Sequence, residues 1–153
     1  MRLILIFILI FALGFFIWKN LTLPKSIGIR NGALNLCPKS PNCVSCMDQD
    51  EGHYIQPLPY QSEKTLDIIW QYLSDVYDAQ LISKTSNYLH VVVTTKKLRF
   101  KDDLEFLVDK KAMVVCVRSA SRLGYSDMKT NRLRIEKLRE FLNRSNGDLE
   151  KKS

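Results

Sequence analysis

With 153 residues, a formal net charge of +7 and four cysteines, the chain has room for one domain and little else. The charge invites a nucleic-acid partner, and its position excludes one. Arg2, Lys19, Lys25, Arg30 and Lys39 stand unopposed before Asp48, and the remainder is nearly neutral.

Behind Met1 and Arg2, residues Leu3 to Trp18 are apolar without interruption. At about 1.5 Å per residue they span roughly 24 Å, and Leu21 and Leu23 extend the run toward the roughly 30 Å of a hydrocarbon core. A cleaved signal peptide needs small residues after its apolar run. Ala12 and Gly14 instead lie inside it, ahead of Phe15, Phe16, Ile17 and Trp18. Residues 1–23 therefore read as an uncleaved membrane anchor, with Trp18 and Lys19 at its interface. Lys19, Lys25 and Arg30 outnumber the cations before the span and would keep the domain in the cytoplasm. The cysteines point the other way, to an exported, oxidising compartment, and we favour that side.

Residues 24–36, with Pro24, Gly28 and Gly32, show no period and read as a linker. From 37 the folded domain is expected to run to 146. Tyr54–Tyr60 contains Pro57 and Pro59 and can form only an edge strand. Ser62 can cap a helix whose stripe is Leu66, Ile69, Trp70, Leu73, Val76 and Tyr77. Gln80–Thr85 and Tyr88–Thr95 flank a tight turn at Ser86-Asn87, and Asp103–Asp109 and Ala112–Ser119 repeat the arrangement around Lys110-Lys111. In the third strand Leu104, Phe106 and Val108 alternate with Asp103, Glu105, Leu107 and Asp109, which predicts a sheet covered on one side. A last helix starts near Ser126 or Asp127, carries Met128, Ile135, Leu138 and Leu142 as its stripe, and ends at Asn146-Gly147. Residues 147–153 read as a disordered tail. The expected fold is α+β: a four- to five-stranded antiparallel sheet with two helices on one face, in the order strand, helix, four strands, helix, after one transmembrane helix.

Cys37 and Cys43 bracket two prolines and an Asn, a turn rigid enough to bring the sulfurs within bridging distance. Zinc is the rival, although Cys37, Cys43, Cys46 and His53 match no standard finger, ribbon or knuckle spacing. Cys116 lies in an apolar strand, where a buried inert thiol is the default and a bridge to Cys46 is the alternative.

Three separated motifs then carry a resemblance: Cys-Pro-Lys-Ser-Pro-Asn-Cys-Val-Ser from Cys37, Asp102-Asp103-Leu104-Glu105-Phe106, and Arg118-Ser-Ala-Ser-Arg-Leu-Gly-Tyr-Ser-Asp127 with Asn131-Arg132. In order and spacing, over roughly residues 27–142, they resemble the domain-of-unknown-function family numbered 1499. The resemblance implies a bacterial or plastid protein, often with an N-terminal membrane segment, and transfers no reaction. Its paired motif cysteines favour a Cys37–Cys43 disulfide over a metal site, so no metal and no cofactor is expected. Two departures stand out. Cys46 replaces a Ser, and Met128-Lys129-Thr130 stands where glycine or another small residue is common, so the start of the last helix is expected to differ locally.

The Arg118–Arg134 stretch concentrates hydroxyls, guanidiniums and a glycine at a strand-to-helix junction. Gly124 permits a positive φ there. Arg118, Arg122 and Arg132 can pair with Asp102, Asp103 and Asp127, which makes the junction a hydrogen-bonded corner. The same atoms can serve a ligand: Arg118, Ser121, Arg122, Tyr125, Asp127, Asn131 and Arg132 form a candidate site for a carboxylate, phosphate or lipid headgroup. No complete nucleophile, base and orienting group is evident. The leading expectation is thus a non-enzymatic, membrane-anchored, exported binding or assembly module, whose partner is a lipid, an anionic ligand or a membrane protein. The alternative is a hydrolase or thiol-dependent enzyme using Cys46 or Ser121 with His53 or His90.

Overall fold

A computed structural model describes residues 2–150. Its elements are helix α1 (Arg2–Leu21), strands β1 (Cys43–Ser45) and β2 (Leu58–Pro59), helix α2 (Thr65–Val76), strands β3 (Asp78–Lys84), β4 (Tyr88–Thr94), β5 (Lys101–Asp109) and β6 (Val114–Ser121), and helix α3 (Thr130–Glu150). The expected α+β architecture is present. The strands form one antiparallel sheet in the order β1-β6-β5-β4-β3, and β2 also pairs with β6. The Pro-bearing segment contributes only Leu58–Pro59, because proline cannot donate to a longer ladder. The Cys-rich turn, read as a loop, supplies the extra strand β1, whose Cys43, Val44 and Ser45 pair with Ala120, Ser119 and Arg118.

On one face α2 and α3 bury Leu66, Ile69, Leu73, Ile135, Leu138 and Leu142 against Leu89, Val91, Leu104, Phe106, Val115 and Val117. Burying one such side chain contributes about 1.5–3 kcal/mol, so this layer supplies most of the folding drive. Trp70 and Tyr77 pack at its margin, whereas Val76 is exposed.

The other face differs from expectation. A sheet covered on one side would leave Asp103 and Glu105 in water, yet both are buried, as are Tyr88, His90 and Arg118 beside them. Their cover is the stretch read as a linker. Leu34 is buried there, Gly28 N–H donates to Glu105 Oε1 at 2.7 Å, and Asn35 holds the stretch closed by donating to the carbonyls of Ser26 and Gly28. Gly28 has φ +101°, and a Cβ there would meet no neighbour within 4 Å, so conformation rather than space calls for glycine. The physical reason for the cover is that ionised carboxylates next to arginines become a binding surface for backbone and hydroxyl donors.

Helix α3 also departs from the reading at both ends. Met128 and Lys129 have φ +53° and +65° and precede the helix, so Met128 is exposed and leaves the stripe to Ile135, Leu138 and Leu142. Two left-handed residues in succession are a conformation that glycine adopts more readily than Met or Lys. At the far end the helix continues through Asn146-Gly147 to Glu150, since one interior glycine costs a helix only about 1 kcal/mol. Part of the expected tail is therefore helical, and its last residues, 151–153, lie outside the described ones.

Helix α1 includes a 19-residue span, Leu3–Leu21, long and apolar enough to cross a membrane. By length and composition it is a candidate anchor or signal sequence, and none of it is buried in the domain.

Candidate functional site

Alternation along β6 decides where the junction residues go. Arg118 and Ala120 face the entry stretch, Ser119 and Ser121 face the helices, and Arg122 follows the strand end. Of the proposed ligand set, Arg118 and Arg122 therefore join one network and Ser121 and Asn131 another, on opposite faces of one sheet, and Tyr125 and Arg132 join neither.

On the helix face Asn131 is the hub. Its Nδ2 donates to Asn42 O at 3.0 Å and to Ser121 Oγ at 3.0 Å. Its Oδ1 accepts from Ser119 Oγ at 2.6 Å and Arg134 Nη1 at 2.9 Å. The amide's full capacity of two donors and two acceptances is thus used internally. Arg134 continues to Asp102 Oδ2 at 2.7 Å, and Asn42 Nδ2 donates to Gly124 O at 2.7 Å. Asn131 falls on the buried side of α3 because this polar knot, rather than the apolar core, fills the end of the sheet.

The entry face carries two buried ion pairs. Arg122 grips Asp103 through both carboxylate oxygens, at 2.7 and 2.8 Å, while His90 Nε2 lies 2.9 Å from Asp103 Oδ1. Glu105 accepts from Arg118 Nη1 at 3.1 Å, Tyr88 Oη at 2.8 Å and Gly28 N–H. Burial alone would raise the Asp103 pKa, but the hydrogen bonds from Arg122 and His90 hold it below the ordinary carboxylate value. Burial, and then the charge of Glu105, push the Tyr88 phenol strongly upward, so it stays a donor. Arg122 also sends Nη1 to Asn20 O and Leu21 O, the last carbonyls of α1, at 3.2 and 3.4 Å. A guanidinium at a helix C-terminus satisfies orphan carbonyls and complements the dipole. The domain thereby holds α1 by its end, and Asn20 reciprocates with bonds to Arg99 O and Lys101 N–H.

The expected acid partners are revised in detail. Arg118 pairs with Glu105 rather than an aspartate, Arg122 pairs with Asp103, and Asp102 belongs to Arg134. Arg132 reaches the carbonyls of Glu51 and Gly52 instead of an acid. Asp127 caps α3, accepting from Lys129 N–H and Asn131 N–H, and Tyr125 is exposed at the loop tip. Gly124 has φ +87°, as the turn requires. Sequence reasoning missed Arg134, Asn42 and Tyr88 as members, and it offered His90 only as a catalytic alternative rather than as a partner of Asp103. Each sits in an otherwise regular helix, turn or strand pattern, and only the pairing register reveals its role.

Between α1 and the entry face lies a cavity of about 460 Å³, within the range of about 300–1,000 Å³ typical of small-molecule sites. Phe15, Trp18, Leu23 and Ile27 line its apolar part, Arg118, Arg122 and Asp103 meet it from the sheet together with Ser121, and Lys19 and Lys25 are also in its lining. Arg118 Nε is buried with no partner among the described residues.

Both disulfides are formed: Cys37–Cys43 as expected, and Cys46–Cys116 in place of a buried thiol at Cys116. The pairing follows from register, since Cys46 N–H donates to Val117 O and sets the two cysteines side by side on neighbouring segments. All four cysteines are thus consumed.

The sequence model of the family described as a protein of unknown function (DUF1499) matches residues 33–142. The chain belongs to the DUF1499 family. No curated protein and no solved structure matches it. All three motifs lie in the networks just described. In this DUF1499 domain the Cys37–Cys43 turn positions Asn42, the acidic strand supplies Asp102, Asp103 and Glu105, and the Arg118–Arg134 stretch supplies their partners.

Proposed function

We propose that this DUF1499 protein is a membrane-anchored binding module, displayed on the exported side, that holds an amphiphile with an anionic headgroup in the cavity beside α1. The observation that carries the reading is the composition of that cavity. Apolar side chains from the end of the membrane helix and the entry stretch meet two arginines at the sheet and two lysines. Lys19 and Lys25 have no ion-pair partner among the described residues, so their charge is available to a phosphate or carboxylate. Arg118 and Arg122 are largely neutralised by Glu105 and Asp103, and they shape the floor more than they attract an anion. The two disulfides support the exported side, because such bonds persist in oxidising compartments.

The enzymatic alternative loses support from the same geometry. Cys46 is bonded to Cys116. Ser121 and His90 lie on opposite faces of the sheet, and His53 is engaged with Asp50 at 3.0 Å and with Ser40 O.

Ala120, almost fully buried, lines the cavity from the sheet, and Ile27 lines it from the entry stretch. Native mass spectrometry of the full chain released from its own membrane is expected to show a retained lipid-class adduct. Ala120→Trp and Ile27→Trp should each abolish it by filling the space. An adduct that persists in both folded variants, or is absent from the unaltered protein, removes the proposal.

A further inference from the structure

The contacts of α1 fix which end of the domain lies beside the candidate span. Phe16 packs edge-on against Phe100 with ring centroids 5.6 Å apart. Phe16 lies five residues before the end of the candidate span at Leu21, or about 7.5 Å back along the helix axis. Phe100 belongs to the β4–β5 loop, so this loop reaches alongside the last turns of the candidate span. Asn20 pins the same loop through Arg99 O and Lys101 N–H. The β6–α3 loop lies beside it, since the two loops together wall a cleft of about 470 Å³.

Both loops present what a bilayer surface would take. Leu98 is 67% exposed, Tyr125 77% and Met128 89%. Scattered exposed apolar residues are ordinary, but here they cluster on the two loops fixed beside the membrane helix. Lys96, Lys97 and Lys129 are exposed among them and have no ion-pair partner among the described residues. Apolar tips flanked by lysines suit an interface in which side chains enter the headgroup region while cations meet anionic lipid.

We propose that this end of the domain is a second membrane contact, in which Leu98 and Met128 enter the lipid and Lys96, Lys97 and Lys129 bind anionic headgroups. The domain then lies against the bilayer instead of swinging from a tether, and the mouth of the α1 cavity is held at headgroup level. The inference rests on α1 crossing the membrane and is independent of any occupant of the cavity.

The test uses the full chain reconstituted in phosphatidylcholine vesicles containing phosphatidylglycerol, with a photoreactive benzophenone amino acid placed singly at Leu9, Leu98, Met128 or Met113. Met113 occupies the β5–β6 turn at the opposite end of the sheet. Lipid adducts are expected at 9, 98 and 128 and not at 113. In the combined Lys96→Glu, Lys97→Glu, Lys129→Glu variant the yields at 98 and 128 should fall several-fold while that at 9 is unchanged. Labelling at 9 without labelling at 98 and 128 overturns the docked end and leaves the anchor standing. Absence of label at 9 as well overturns both. Equal labelling at 113, or yields indifferent to the charge reversal, also overturns the proposal.

Discussion

Replacing Asp103 by Asn is expected to destabilise the domain by about 3–5 kcal/mol, the usual cost of leaving one member of a buried ion pair without its partner. The substitution is nearly isosteric, so no cavity term contributes. What is lost is the charge that Arg122 grips through two hydrogen bonds and that His90 approaches from β4. Arg122 has a side chain only 5% exposed and cannot recover its hydration. Urea unfolding of the full chain in mild detergent measures the effect. Combining Asp103→Asn with Arg122→Met should restore part of the loss, because an apolar side chain is no longer an orphaned charge. The pH dependence has a definite sign. The folded Asp103 pKa lies below the unfolded value of about 3.9, so its contribution is complete above that value and is lost as the pH falls through the folded pKa. The stability gap between the unaltered protein and Asp103→Asn should therefore be widest near neutrality and shrink in acid. A gap below about 1 kcal/mol, the upper range of an exposed pair, would show that this face is not the buried layer described.

The two disulfides should differ in weight by loop length. Cys46–Cys116 joins residues 70 apart and Cys37–Cys43 residues 6 apart. By loop-closure entropy these correspond to about 4 and about 2 kcal/mol. Replacing both members of the long bridge by Ser should thus lower stability roughly twice as far as the same change in the short one. The short bridge has a second role, since it holds the turn that delivers Asn42 to Asn131 and Gly124. Its loss should loosen the β6–α3 corner in amide exchange even where the global change is smaller. Equal losses, or an unaltered corner without Cys37 and Cys43, would contradict this division.

Much of the fold was legible because its helix-facing layer obeys simple periods. Leu104, Phe106 and Val108 on β5, and Ile135, Leu138 and Leu142 on α3, announce an apolar sheet face and the amphipathic helix that covers it. The second layer obeys no such rule. Asp103 and Glu105 look like solvent residues because alternation reports polarity, not exposure, and their burial depends on partners as distant as Gly28, His90 and Arg122. The linker reading failed for the same reason: residues 24–36 have no period because they are held by individual hydrogen bonds. At the corner the residue types point to an acid-paired clamp, yet of the expected partners only Arg122 with Asp103 is found, because a strand sends alternate residues to opposite faces. Neither the division of Arg118 from Ser121 nor the clamp of Arg122 on α1 could be read without the register.

Everything proposed for this protein depends on α1 remaining on the chain. Without it the cavity loses Phe15, Trp18 and Lys19, Arg122 loses the carbonyls of Asn20 and Leu21, and the bilayer-facing loops lose their reference. The direct measurement is the intact mass of the mature protein from its native membrane, alkylated before and after reduction. The expected result is a chain that still contains residues 2–21, takes no alkyl group before reduction and takes four afterwards. A chain shortened by the length of α1, or cysteines alkylated without reduction, would contradict it.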